Sequence, residues 1–273
     1  MLLAVDIGNS NVKFGVFDGD ASAGFWQIAN APGRTAADFE LLLPHEVTDW
    51  PIDAVVIGSV VPQATQHLVE LAITRFQLKP FLATTSADVG MAVSYDPPGS
   101  LGIDRLADAV AAVDILGAPC IAVDIGTATT FNVVAAPLLP RPASPGKASM
   151  LMLEAGGVPI FAGGAIAPGA GILAGALGPR TAQLPTVAFA RPSTVLATNS
   201  TEAIQSGLFF GHAALIDGMV ERLRAEIGSP DCPVVATGGG ATADFVAECR
   251  TIARVEPLLT LCGLRLIWQY SRR

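Results

Sequence analysis

The sequence is short of charge, of histidine and of long apolar runs, and each shortage excludes something. Asp, Glu, Lys and Arg together make up 15% of its 273 residues, the net charge is −8, and no basic run occurs anywhere. Nucleic acid is therefore not an expected partner, because binding a phosphate backbone relies on clustered lysine and arginine. No apolar stretch reaches the ~18 residues that a membrane span needs, so no membrane is expected either. The start, Met1-Leu-Leu-Ala-Val-Asp6, has no basic n-region and meets an aspartate at once, which does not read as a signal peptide. Cys120, Cys232, Cys249 and Cys262 form no Cys-x-x-Cys pair, and the three histidines are scattered. That spacing supports neither a zinc site nor a disulfide framework. Reduced, mostly buried thiols in a cytoplasmic protein are the expectation. No Gly-x-x-x-x-Gly-Lys-Ser/Thr pattern occurs, which excludes a P-loop.

What the chain has in quantity is apolar residue, 51% of the total. A substantial core is easily built, and the surplus suggests surface buried against another subunit. The length suits two domains.

The organising stretch is the first thirteen residues, Met1-Leu-Leu-Ala-Val-Asp-Ile-Gly-Asn-Ser-Asn-Val-Lys13. An apolar run ends at Asp6, Gly8 and small polar residues follow, and a second apolar run leads to Asp18-Gly19. The pattern reads as strand, tight polar turn, strand. A glycine among small polar residues lets backbone N–H groups approach an anion, and an aspartate at a strand end suits a hard cation or its waters. A plain hairpin whose aspartate caps its own backbone reads equally well from this stretch alone. The chain then does it again, in Ile121-Ala-Val-Asp-Ile-Gly-Thr-Ala-Thr-Thr-Phe-Asn-Val-Val134. Two matching units suggest a duplicated domain, with the loops facing each other across a cleft and clasping the two ends of a polyphosphate.

Between them, 21–30 reads as a third strand, 35–43 as a short helix opened by Thr35, and 52–61 as a strong strand stopped by Pro62. A helix over 64–76 and a strand over 80–83 follow, giving an α/β domain with a mixed sheet. Asp96 to Ser100 is turn-forming, and 106–116 is an Ala-rich helix. Gly102-Ile-Asp-Arg105 thus sits at a loop-to-helix junction, where negative charge is favoured. Asp104 there reads either as a first-turn carboxylate that staples the helix or as a base. Arg105 matches an anionic substrate, since its guanidinium grips a carboxylate bidentately. Gly169-Ala-Gly-Ile-Leu-Ala174 fits a dinucleotide fingerprint, but Pro168 precedes it and no acid lies ~20 residues on at a strand end. Those glycines are expected to permit close backbone approach to substrate or between subunits. A long helix over 202–227 and a strand ending in Thr237-Gly-Gly-Gly240 complete the chain, the latter reading as a nucleotide contact or as a simple strand-to-helix turn.

Six motifs in register carry a resemblance: Asp6-Ile-Gly-Asn-Ser-Asn11, Gly102-Ile-Asp-Arg105, Asp124-Ile-Gly-Thr-Ala-Thr129, Gly163-Gly-Ala-Ile-Ala-Pro-Gly169, Arg180-Thr-Ala-Gln-Leu-Pro185 and Asn199-Ser-Thr-Glu-Ala-Ile-Gln-Ser-Gly207. Together they resemble type III pantothenate kinase, over nearly the whole chain. The resemblance implies an α/β fold of two duplicated ribonuclease-H-like (actin-like ATPase) domains, 1–115 and 116–273, with a cleft between them. It implies transfer of phosphate from ATP to pantothenate, giving 4'-phosphopantothenate in the first step of coenzyme A synthesis. By the same resemblance Asp6, Ile7, Gly8, Asn9, Ser10, Asn11, Val12 and Lys13 form a phosphate loop for ATP, with Asp6 near its Mg2+, and Thr127 also contacts ATP. Asp124 matches a ligand for a monovalent cation, K+ or NH4+, and Asp104 the catalytic base. Tyr95, Gly102, Ile103, Asp104 and Arg105 match pantothenate contacts, and Thr181 a further contact supplied by the neighbouring subunit of a homodimer whose active site lies near the interface. Lys13 reads as charge near the phosphates or as a solvated strand-edge lysine. Two features depart from the family pattern: Asn132 replaces a usual aspartate, and the Pro-rich stretch 135–158 is longer than a short hairpin. The alternatives are a kinase of this fold for another small hydroxylated acid, distinguished at Tyr95 and Gly102–Arg105, and a nucleotide-binding regulatory protein.

Overall fold

The first strand, β1 (Leu2–Ile7), is buried on both faces, as its unbroken apolar run requires. The structure, a computed structural model, describes residues 1–136, 157–177 and 184–273. It divides into two units, Met1–Ala111 with Leu258–Arg273, and Ala112–Pro257.

In the first unit β1 pairs antiparallel with β2 (Asn11–Asp18), which pairs antiparallel with β3 (Ala21–Ala29). On its other side β1 pairs parallel with β4 (Ala54–Ser59), and β5 (Phe81–Leu82) completes the order β3-β2-β1-β4-β5. Two helices cover one face, α1 (Ala36–Leu41) and α2 (Pro62–Phe76). Thr35 opens α1 through a reciprocal capping box with Asp38, and Pro62 starts α2 where a missing N–H costs nothing. Phe39, Leu68 and Leu71 pack there on Leu3, Val5, Phe14 and Val16. A short strand, β6 (Ala92–Val93), precedes α3 (Ile103–Leu116). That helix begins earlier than the Ala-rich pattern suggests, so Asp104 and Arg105 lie within its first turn.

The second unit repeats the plan. β7 (Cys120–Ile125) pairs antiparallel with β8 (Ala128–Ala135), and β8 with β9 (Ile160–Pro168). α4 (Ala170–Leu177) and the long α5 (Ser200–Glu226), N-capped by Asn199, follow. β10 (Val234–Thr237) then pairs parallel with β7, and after α6 (Ala243–Val246) comes β11 (Arg254–Val255). Within this unit the order β9-β8-β7-β10-β11 matches that of the first strand for strand. Its core sets Val123, Ile125 and Phe131 against Phe209, Ile216 and Phe245.

The division expected at residue 115/116 differs from these units at the C-terminus. The last helix, α7 (Leu259–Tyr270), packs on the first sheet. Its Leu261 and Leu264 lie where side chains on Gly15 and Gly58 would otherwise stand, at 3.1 Å and 2.5 Å from the would-be Cβ positions. Bare backbone in β2 and β4 admits a helix that arrives only at the end of the chain. Residues 137–156 of the Pro-rich stretch lie outside the described residues.

Candidate active site

The loop joining β1 to β2 is held from inside and from behind. Gly8 N–H donates to Asn11 O (3.0 Å), and Asn30, just past β3, donates its side-chain amide to Gly8 O (2.8 Å) and its N–H to Ser10 O (2.8 Å). Asn9 and Ser10 remain exposed at the tip. Asp6 stands before the turn, buried, with Lys13 as its antiparallel partner and Gly58 as its parallel one. Lys13 Nζ lies 3.8 Å from the Asp6 carboxylate. The lysine is therefore paired and only partly exposed, not solvated at a strand edge.

The junction ahead of α3 lies by the same end of the sheet. Val60 N–H donates to Ile7 O (3.2 Å), and Val60 Cγ1 is 3.7 Å from where a Gly102 Cβ would stand. A side chain at Gly102 would strike Asp104 Oδ1, so this position leaves the room the carboxylate occupies. Asp104 Oδ1 accepts from Arg105 N–H (2.8 Å), which is the helix-stapling role. Arg105 is buried, its Nη1 donates to Tyr95 Oη (3.0 Å), and its guanidinium lies 5.6 Å from the Tyr95 ring centre. A carboxylate and a guanidinium–phenol pair thus lie within the eleven residues from Tyr95 to Arg105. That set can accept a proton from a hydroxyl and hold a carboxylate.

The second loop is tighter. Ile7 pairs with Val12 across the first turn, whereas Ile125 pairs with Thr129 across the second, one residue fewer. Gly126 N–H donates to Ala128 O (3.0 Å), Gly169 N–H to Thr127 O (3.0 Å) and Gly240 N–H to Ile125 O (2.8 Å). A Cβ at Gly169 would overlap Gly126 O and Thr127 O, so the glycine of the false dinucleotide fingerprint is needed to seat this loop. Gly238, at φ +92°, presses on Asp124 Oδ1 and Ile125 in the same way, and Gly239 alone of the three glycines meets open space. Behind the loop, Thr129 Oγ1 bonds His212 Nε2 (2.9 Å), and burial holds His212 below its ordinary pKa and hence neutral. Asp124 is partly buried, with Thr130 and Thr237 as its strand partners. Asn132 is buried on that same sheet face, its amide donating to Thr130 Oγ1 (3.5 Å). Thr127 is exposed at the tip.

Comparison with known proteins decides what this geometry belongs to. The family profile described as Type III pantothenate kinase matches residues 2–138 and 152–222. A relative named Type III pantothenate kinase from Roseiflexus castenholzii is 38% identical over 279 residues, all of both chains being covered. Another of that name from Geobacter sulfurreducens is 34% identical over 277 residues, again across both chains. This chain belongs to the type III pantothenate kinase family.

Solved structures agree on the fold of this family member. A Campylobacter jejuni protein named as a Baf family transcriptional activator aligns with TM-score 0.58 and 18% identity over 99% of this chain and 98% of its own. Component A of (R)-2-hydroxyglutaryl-CoA dehydratase from Acidaminococcus fermentans aligns with TM-score 0.51 and 12% identity, covering 99% and 98%. At such identities the likeness shows fold alone, the duplicated ribonuclease-H-like, actin-like ATPase architecture.

Of the residues that sequence singles out in this kinase family member, the structure joins Asp6 to Lys13 and Asp104 to Arg105 and Tyr95 within the first unit. Asp124 and Thr127 stand on the corresponding loop of the second. Thr181 lies outside the described residues. Asn30 and His212, which fasten the two loops, were not legible as such: each lies far in sequence from the group it holds, a backbone oxygen for Asn30 and the Thr129 hydroxyl for His212.

Proposed function

We propose that this chain transfers the γ-phosphoryl group of ATP to the primary hydroxyl of pantothenate, releasing ADP and 4'-phosphopantothenate at the entry to coenzyme A synthesis. Family membership supports the reaction, and the convergence of Asp104, Arg105 and Tyr95 beside the first loop carries the assignment of roles. Arg105, oriented by Tyr95, holds the pantothenate carboxylate. Asp104 takes the hydroxyl proton as the oxygen–phosphorus bond forms and the bond to the β-phosphate breaks. Phosphoryl transfer asks mainly for positioning and neutralised charge, which Asp6 to Lys13, with Thr127, supply around ATP.

The described residues fit the expected ions without a dedicated cage. Among them no three His, Cys, Asp or Glu side chains are grouped to hold a metal. Magnesium characteristically binds through phosphate oxygens with one or two carboxylates, and Asp6 suits that arrangement. A bound magnesium would offset charge on the phosphates during transfer. Asp124, flanked by the threonines 130 and 237, presents the hard oxygen donors that potassium or ammonium takes. Exposed Ile166, Ile172, Val195 and Leu196 on the second unit support a homodimer, with Thr181 of each subunit serving the other's site. A cytoplasmic setting is consistent with the absence, among the described residues, of any helix long and apolar enough to cross a membrane.

Pantothenate-dependent ADP release with magnesium, compared in potassium, ammonium and sodium, tests the proposal. Turnover that requires pantothenate and rises with potassium is expected. ATP binding without pantothenate turnover would overturn it in favour of another acceptor or a regulatory role.

A further inference from the structure

One buried carboxylate on α3 has no part in the roles assigned above. Asp108 lies a helical turn beyond Asp104, at 1% exposure, and accepts a 2.7 Å hydrogen bond from Thr260 Oγ1, itself 3% exposed. Thr260 belongs to α7, and three residues further along that helix Gly263 meets the same turn of α3. A Cβ at Gly263 would overlap Ala107 O and come within 2.8 Å of Ala107 Cα. Positions three apart share a helix face, so the crossing has one polar clamp and one steric stop, on consecutive residues of α3. The same α7 also presses Leu264 onto Gly58, the parallel strand partner of Asp6. One helix therefore touches both the strand beside Asp6 and the helix that carries Asp104 and Arg105.

We infer that Asp108 and Thr260 are positioning residues for phosphoryl transfer: their hydrogen bond, with Gly263 as the stop, sets the depth and rotation of α3 that aims Asp104 and Arg105. The inference rests on the assignment of Asp104 as the base. A hydrogen bond between buried partners is costly to break, and a carboxyl group that loses this donor must shift within its remaining contacts or draw in water. A helix is stiff, so movement at Asp108 is passed to the turn before it. Misplacement of a reacting group by about 1 Å can cost a hundredfold in rate.

Thr260→Val keeps the shape and removes the donor, and Thr260→Ser restores the donor. Steady-state kinetics, thermal unfolding and amide hydrogen exchange on both variants test the inference. Thr260→Val is expected to lower kcat by roughly ten- to a hundredfold, leave KM for ATP within about twofold, and speed amide exchange at 102–106; Thr260→Ser restores most of the rate. A Thr260→Val enzyme that melts earlier but keeps its kcat at assay temperatures well below Tm would show a merely structural bond and overturn the inference. Should the wild-type chain show no pantothenate turnover, the functional reading fails on its own, and exchange at 102–106 still decides this one. Unchanged exchange in Thr260→Val rejects it, and faster exchange there upholds the clamp.

Discussion

The two loops after β1 and β7 begin alike, Asp-Ile-Gly, and end in different chemistry because one is a residue shorter. In the first, four residues separate the paired Ile7 and Val12, which brings Lys13 opposite Asp6. In the second, three residues separate Ile125 and Thr129, which brings Thr130 opposite Asp124. A one-residue change in turn length alters what faces the aspartate, because register is set by the turn. The first aspartate thereby meets an ammonium. The second meets hydroxyl partners on both neighbouring strands, a setting of oxygen ligands. The loops also differ in their fastening, a non-titrating Asn30 amide in one and a buried histidine in the other.

The acid–arginine junction of Asp104 and Arg105 lies in the first unit, so the largest effect is expected there. Asp104→Asn should lower kcat by about 100- to 10,000-fold with ATP affinity preserved, as measured by turnover and by nucleotide titration. Near-normal turnover would return Asp104 to its helix-stapling role. Next, Asp6→Asn should reduce kcat/KM for Mg-ATP by on the order of a hundredfold, since it leaves Lys13 charged beside a neutral amide. The same change at Asp124 should act differently. Asp124→Asn is expected to cost roughly tenfold in kcat and to bring the potassium-to-sodium rate ratio to about one. If both variants respond equally to potassium, the contrast between the loops is lost.

A smaller effect separates the fastenings by pH. The unfolded chain protonates a histidine near 6.5, while burial holds His212 lower in the fold. Below that pH the unfolded state binds more protons, so stability is full above 6.5 and falls as the pH drops toward the folded value. The wild-type Tm should therefore fall more between about pH 7 and 5 than that of His212→Gln, read by thermal melts across pH. Asn30→Ala should cost only about 1 kcal/mol, without pH dependence, because the backbone bond from Asn30 N–H to Ser10 O survives. An equal pH slope in both variants would remove the distinction.

Much of this was legible in order along the chain. Apolar runs and turn residues placed β1, β2, β7 and β8, and the repeated Asp-Ile-Gly pointed to the duplication that the matching strand orders display. Thr35 marked a helix start and Pro62 a strand end because capping and proline geometry are local, though the helix itself begins at Pro62 rather than 64. The start of α3 was missed by three residues, since Gly102-Ile-Asp-Arg105 reads as a loop until the Arg105 N–H is satisfied by Asp104. The glycines at 169 and 238 were visible as glycines, but what they admit was not. Each makes way for a loop more than 40 residues away.

By itself the sequence determined the duplicated strand-turn-strand units, the acid–arginine junction and the family, because these depend on residues adjacent in the chain. Only the tertiary structure decided that α7 groups with the first unit, that Asn30 and His212 fasten the two loops, and that Thr260 reaches Asp108. Those contacts join backbone and side chains from 22 to 152 residues apart. No local pattern records them, since a buried polar atom finds its partner only once the sheets and helices have closed around it.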